Sequence, residues 1–268
     1  MPAIQLGRLK NQSAQLAERF NDPANFRRGF HELLDFYADR AYRPGQAGEP
    51  PPLLPSYNVS QPVLRQILKD LIPQAANDPS AGLRLCDVLW QEAYLEFRWL
   101  AAALLGQLPP DPPESILERI EAWATPSTEA RLVDALLALG LARLRAEKPG
   151  RAQVEIQAWL VSPDQFTQQL GLQALTYLLD EPGYDNLPEV YRMITPLVRA
   201  APSALRPDLL NVLRKLATIS PRETAYFLRQ NLAIRQDNPG TAWLARNCLA
   251  SFPPEIQSNL RSAIREAK

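Results

Sequence analysis

Residues 160–172 read LVSPDQFTQQLGL and residues 218–230 read TISPRETAYFLRQ. In each, a serine precedes a proline, and an acid or amide stands three residues after the serine. Ser162-Pro163-Asp164-Gln165 and Ser220-Pro221-Arg222-Glu223 therefore read as capping boxes with proline at the first helical position. There proline forfeits no intrahelical bond, whereas inside a helix it costs about 3 kcal/mol. Asp111-Pro112-Pro113-Glu114, Thr125-Pro126 and Asn238-Pro239 read as further helix starts. This accounts for much of the content of 26 prolines in a chain whose apolar residues otherwise follow a helical period.

The starts form two interleaved series. One runs Pro126, Pro163, Pro202, Pro239, at gaps of 37, 39 and 37; the other runs Pro113, Pro149, Pro188, Pro221, Pro254, at gaps of 36, 39, 33 and 33. Two starts per unit is the signature of helix-pair repeats, and ankyrin and tetratricopeptide signature residues are missing. Between the starts, Val133, Leu136, Leu137, Gly140, Leu141 and Leu144 make one helical stripe, and Leu205, Leu209, Val212, Leu213, Leu216 and Ile219 make another. Helices also fit 3–20, 24–41, 60–74, 79–90 and 92–107, and no segment alternates as a strand does. The expected fold is all-α, an α-solenoid of antiparallel HEAT-like helix pairs with a concave groove. It is read as one domain over 1–268, with 1–56 giving N-terminal helices and a proline-rich connection and 57–268 the repeats. The proline cluster at 44–56 suggests a stiff connection, with partner binding as its other reading.

Composition narrows the function. The 268 residues hold 29 Lys+Arg and 29 Asp+Glu, which argues against a uniformly basic nucleic-acid binder. The balance is uneven: residues 190–268 carry 12 Lys+Arg and 5 Asp+Glu, leaving 17 and 24 for residues 1–189. A basic C-terminal third could form a phosphate footprint or simply solvate helix faces. One histidine, His31, and two cysteines, Cys86 and Cys248, argue against a zinc site, and the cysteines read as buried thiols. There is no glycine-rich phosphate loop and no dinucleotide fingerprint, so no cofactor or metal is expected. No apolar run spans a bilayer and the N-terminus lacks a signal peptide's apolar centre, so the expected location is cytoplasmic without membrane contact.

Several stretches resemble the DNA alkylation-repair family of HEAT-like repeat proteins, which includes the alkylpurine DNA glycosylases. They are Leu89-Trp90 followed by Glu96-Phe97-Arg98 and the run Leu100-Ala101-Ala102-Ala103-Leu104-Leu105; Trp159-Leu160-Val161-Ser162 followed by Phe166; and Val212-Leu213-Arg214-Lys215 with Pro221 and Phe227-Leu228 downstream. Tyr57-Asn58-Val59, followed by Pro62 and Leu64-Arg65, resembles the segment opening the family's first full repeat. Together they cover residues 57–235.

The resemblance implies a concave face that holds duplex DNA. It also implies two tryptophans and an aspartate around a cationic lesion, and an arginine on the phosphate. A carboxylate there stabilises the positive charge that develops on the sugar as the N-glycosidic bond breaks, and aromatic faces attract an alkylated, cationic base. Asp134, after Val133, keeps the aspartate; Ala130 and Asn211 stand where tryptophans are expected and Gln169 where the arginine is. The expected function is thus DNA binding, on duplex or branched DNA, with weak or no base excision. One alternative is an active N-glycosylase for alkylated bases using Asp134. Another is a HEAT-type scaffold for a protein partner.

On an ideal helix Asp134 lies about 90° from the leucine stripe's centre, which suits either a groove carboxylate or a structural ion pair. Gln169 can hydrogen-bond a phosphate without supplying charge. Arg214, Lys215, Arg222 and Arg229 are the candidate phosphate contacts, and Phe166 the candidate groove aromatic. His31, in Phe30-His31-Glu32-Leu33, reads as a surface or core histidine, and the remaining tryptophans as packing residues.

Overall fold

A computed structural model describes residues 5–41, 53–234 and 239–266. Among these every regular element is helical and no strand occurs. The connection expected after Arg43 falls largely outside the described residues, as does Asn238.

The chain divides into two compact units, Met1–Lys148 and Pro149–Lys268. The first holds α1 (Leu6–Ala17), α2 (Pro23–Tyr37), α3 (Gln61–Asn77), α4 (Pro79–Gln91), α5 (Leu95–Leu105), α6 (Glu114–Trp123), α7 (Ala130–Ala135), a π-helical turn over Leu136–Gly140, and α8 (Ala142–Glu147). Helices α1, α3, α5 and α7 pack in succession as one row; α2 packs on α4, and α6 on the π turn. The second unit holds α9 (Pro149–Leu160), α10 (Gln165–Leu178), α11 (Leu187–Ala200), a 3-10 turn over Ser203–Leu205, α12 (Arg206–Ile219), α13 (Pro221–Ile234), α14 (Pro239–Cys248) and α15 (Pro254–Glu266). Here α10, α12 and α14 make one row and α9, α11, α13 and α15 the other. In both units helices two apart in the chain lie side by side, as stacked helix pairs require.

The second proline series marks helix starts well. Pro149, Pro221 and Pro254 are first residues, Pro188 is the second residue of α11, and Pro113 precedes α6. The first series is looser. Pro126 sits four residues before α7, in a turn closed by Thr125 and Thr128 hydroxyls at 2.9 Å. Pro163 precedes α10, whose cap is Asp164 and not Ser162. The Asp164 carboxylate accepts from the Thr167 amide at 2.8 Å, so the helix starts two residues later than the box predicts. Asp22 and Asp78 cap α2 and α4 likewise, accepting from Asn25 and Ala81 amides at 3.1 and 2.9 Å. Pro73 and Pro196 stand inside α3 and α11. There the lost bond is offset by burial of Leu71, Ala75, Ile194 and Leu197 beside them.

The first leucine stripe is buried throughout, and so is the second apart from Ile219, which ends α12 and is 45% exposed. The π turn was not expected. Its cause is the neighbouring α5, whose Phe97 and residues Leu100 to Leu105 are all 1% exposed or less. At the end of α5, a Cβ on Gly106 would lie 1.7 Å from the Leu139 carbonyl oxygen. Buried Arg145 donates to the Leu137 carbonyl and, at 3.0 Å, to the Ala138 carbonyl, tying its guanidinium to the turn.

Gly106→Ala should therefore force two backbones apart and destabilise the chain by about 2–4 kcal/mol, seen as a lower midpoint in chemical denaturation. A Gly106→Ala midpoint equal to wild type would refute the close approach.

Candidate functional site

In the second unit, the α10–α12 row presents two polar stripes. On α10 they are Gln169, Gln173 and Thr176, with Asp180 just beyond its end, at helical spacing. On α12, Asn211, Arg214 and Thr218 are exposed, with Lys215 alongside. The opposite faces of both helices are spent on packing, since Leu175, Leu178, Leu209, Leu213 and Leu216 are fully buried. Between the stripes lies a cleft of about 410 Å³, lined by Gln173, Thr176, Asp208, Asn211, Arg214 and Lys215 among others.

Its side chains are cross-linked. The Gln173 amide donates to Asp208 Oδ1 at 3.2 Å, and the Lys215 ammonium pairs with Asp180. Burial lifts the Asp208 carboxyl above its ordinary value, with the Gln173 hydrogen bond opposing. Arg214 is exposed. It donates to the Asn247 carbonyl of α14 at 3.4 Å, a long contact, and makes no ion pair among the described residues. A guanidinium beside an ammonium, with the neutral side chains of Gln173, Thr176, Asn211, Thr218 and Ser251 around them, suits a phosphate oxygen, which the Asp208 carboxyl opposes.

The expected site residues do not all meet. Arg214 and Lys215 share the cleft, together with Asn211. Gln169 lies one turn before Gln173 and donates to the Ala204 carbonyl at 3.3 Å, outside the cleft's lining. Phe166 is half-buried in the first turn of α10. Arg222 lines a different cavity, of about 730 Å³, with Tyr191, Tyr226 and Phe227, and Arg229 is exposed two turns further along α13. The reason is topological: α12 and α13 are consecutive, so stacking assigns them to opposite rows. Asp134 belongs to the first unit. It is exposed on α7, one turn after Ala130, which is also exposed.

Trp159 is 3% exposed and serves the core as expected. Trp123 is also buried and stacks on Trp90 with ring centres 4.7 Å apart. Trp99 and Trp243 are only half-buried. Cys86 and Cys248 are unpaired and buried; burial pushes the Cys86 thiol far up and the Cys248 thiol up to about 12, which leaves neither as a thiolate at neutral pH. No group of three His, Cys, Asp or Glu that could hold a metal occurs among the described residues.

Two features escaped the sequence reading. His31 Nδ1 is 2.8 Å from the Tyr57 hydroxyl and Nε2 is 3.5 Å from Glu92, with the Phe97 ring 4.3 Å away centre to centre. Burial, with Tyr94 alongside, lifts Tyr57 to about 12, so it remains a phenol. Glu96 is 4% exposed, a charged residue in the core of an apolar helix. That contrast within LEFRWLAAALL was the available signal.

A family model described as "DNA alkylation repair enzyme" matches residues 52–247. No curated protein and no solved structure matches the chain.

Because the folded state raises the Asp208 pKa, the folded protein binds this proton to higher pH than the unfolded chain does. The site is thus most favourable below the ordinary value of 3.8 and loses stability as pH rises through the raised value. Relative to Asp208→Asn, the wild-type melting temperature should fall over that interval in melts taken from about pH 3 to pH 7. A constant difference would contradict it.

Proposed function

The chain belongs to the DNA alkylation repair enzyme family, and from that membership we propose that it is a DNA-binding protein with weak or no base-excision activity. The observation that carries the reading is Arg214, exposed beside Lys215 and Asn211 in a polar cleft within the matched span. Phosphate contacts contribute most of the sequence-independent affinity for DNA, and each engaged cation adds to the salt dependence. The side-by-side rows within each unit support HEAT-like repeats as the scaffold.

Excision is weak for a chemical reason. The family resemblance asks for two tryptophans, an aspartate and an arginine, and only Asp134 remains. Ala130, Asn211 and Gln169 offer neither an aromatic face nor a charge to a cationic base or its phosphate. Asp134 alone can stabilise developing positive charge, but it has nothing of that set to hold the base against it.

The test is binding to duplex and branched DNA across a salt series. Arg214→Ala should weaken binding alike on all sequences and flatten the slope of log affinity against log salt by about one unit. Arg229→Ala, in the opposite row, should change the slope less. An unchanged slope in Arg214→Ala, or no binding at low salt, would refute the proposal. Alkylated DNA should release bases at or barely above background. Robust release that vanishes in Asp134→Asn would establish the glycosylase reading instead.

A further inference from the structure

Asp208 is the one group in the α10–α12 cleft that a phosphate does not explain, because like charges repel. It stands half-buried in the first turn of α12, with Asn211 one turn on and Arg214 and Lys215 about two turns on, all lining the same cleft. Its position is fixed from the neighbouring helix, since the Gln173 amide donates to Oδ1 at 3.2 Å. No cation among the described residues pairs with the carboxylate, and Oδ2 accepts no hydrogen bond from them. Nor is Oδ2 sealed in, for the buried side-chain oxygens without a partner among those residues are Ser13 Oγ and Glu96 Oε2. Oδ2 is therefore an open acceptor in a cleft whose free charge, on Arg214, is a donor.

A ligand that satisfies both carries an anionic oxygen for Arg214 and a hydrogen-bond donor for Asp208. Arg214 lies about 9 Å from Asp208 along the helix axis, and the Cα–Cβ bonds of a helix tilt toward its N-terminus, so the arginine is rooted toward Asp208. The donor thus lies within a nucleotide of the gripped phosphate. In a duplex the base amino groups are turned into pairs and grooves, behind the backbone. The donor nearest a phosphate is a sugar hydroxyl. An internal deoxynucleotide has none, whereas the last nucleotide at a strand break has one, and so has every ribonucleotide.

We propose that the cleft selects a nucleotide with a free sugar hydroxyl beside its phosphate, Arg214 taking the phosphate and Asp208 Oδ2 accepting from the hydroxyl. This rests on the DNA reading above and names what that surface prefers.

The test is competition binding of the full-length chain to duplexes of one sequence, each closed at both ends by hairpin loops. One is uninterrupted, one has a nick with a 3′-hydroxyl, one has the same nick ending in a dideoxynucleotide, and one is uninterrupted but contains ribonucleotides. A chelator is present throughout, so that no metal ion bridges carboxylate and phosphate. DNA with the hydroxyl-bearing nick should bind about tenfold tighter than the uninterrupted and dideoxy forms. A matching gain on the ribonucleotide duplex would show that a 2′-hydroxyl serves as well as a strand end. Asp208→Ala should bind all four alike. Equal binding of all four by the wild type, or a hydroxyl preference of undiminished size in Asp208→Ala, would overturn the inference and leave the DNA reading standing. No binding to any of them at low salt would remove that reading, and this inference with it. Should Asp208→Ala not fold, the comparison of hydroxyl-bearing with hydroxyl-free DNA decides alone.

Discussion

Because every residue from Leu100 to Leu105 is buried, the C-terminal half of α5 has no solvent face to spare, and its neighbours must close on it from several directions. Helices α3, α4, α7 and the π turn all pack on α5. The small side chains of Ala101, Ala102 and Ala103 permit the approach, and Gly106 permits the closest one, at the Leu139 carbonyl. The π turn follows from that contact, and the buried guanidinium of Arg145 is tied to it through the Leu137 and Ala138 carbonyls. The first unit is thus built around one helix that would not be stable in isolation. The second unit solves the same problem by repetition. Each helix lies beside the one two places on and packs against the opposite row, and this arrangement decides which charged residues can meet.

That arrangement explains how far the sequence could be read. Helix starts at Pro149, Pro221 and Pro254 were legible because proline and the first helical position share one local requirement. The caps at Asp22, Asp78 and Asp164 are equally local, and the first two could have been read from Asp-Pro pairs. The π turn was not legible, because Val133 to Leu144 keeps an ordinary helical stripe and the disturbance comes from another helix. The grouping of arginines was not legible either. Arg214 and Arg222 are eight residues apart in sequence and lie in different rows, a distinction that depends on where α12 ends. Glu96 was visible as a charge in an apolar run, but its unpartnered oxygen is a property of the packed core alone.

The proposed reading is of a protein that holds DNA more than it transforms it. Neutral side chains at 130, 169 and 211 remove aromatic and ionic contacts, whereas Arg214 and Lys215 keep positive charge on the α10–α12 row. Lys215 is partly spent on Asp180, and burial raises the pKa of the Asp208 carboxyl. Arg214 is therefore the group with most to gain from an incoming phosphate.

Hydroxyl-radical footprinting of the full chain, with and without duplex DNA, tests this most directly. The expected result is protection of side chains in Asn211–Ile219 of α12, with Pro221–Ile234 of α13 oxidised equally in both states. Protection confined to α13, or no change at α12 under conditions where DNA is bound, would contradict the assignment of the DNA-facing surface.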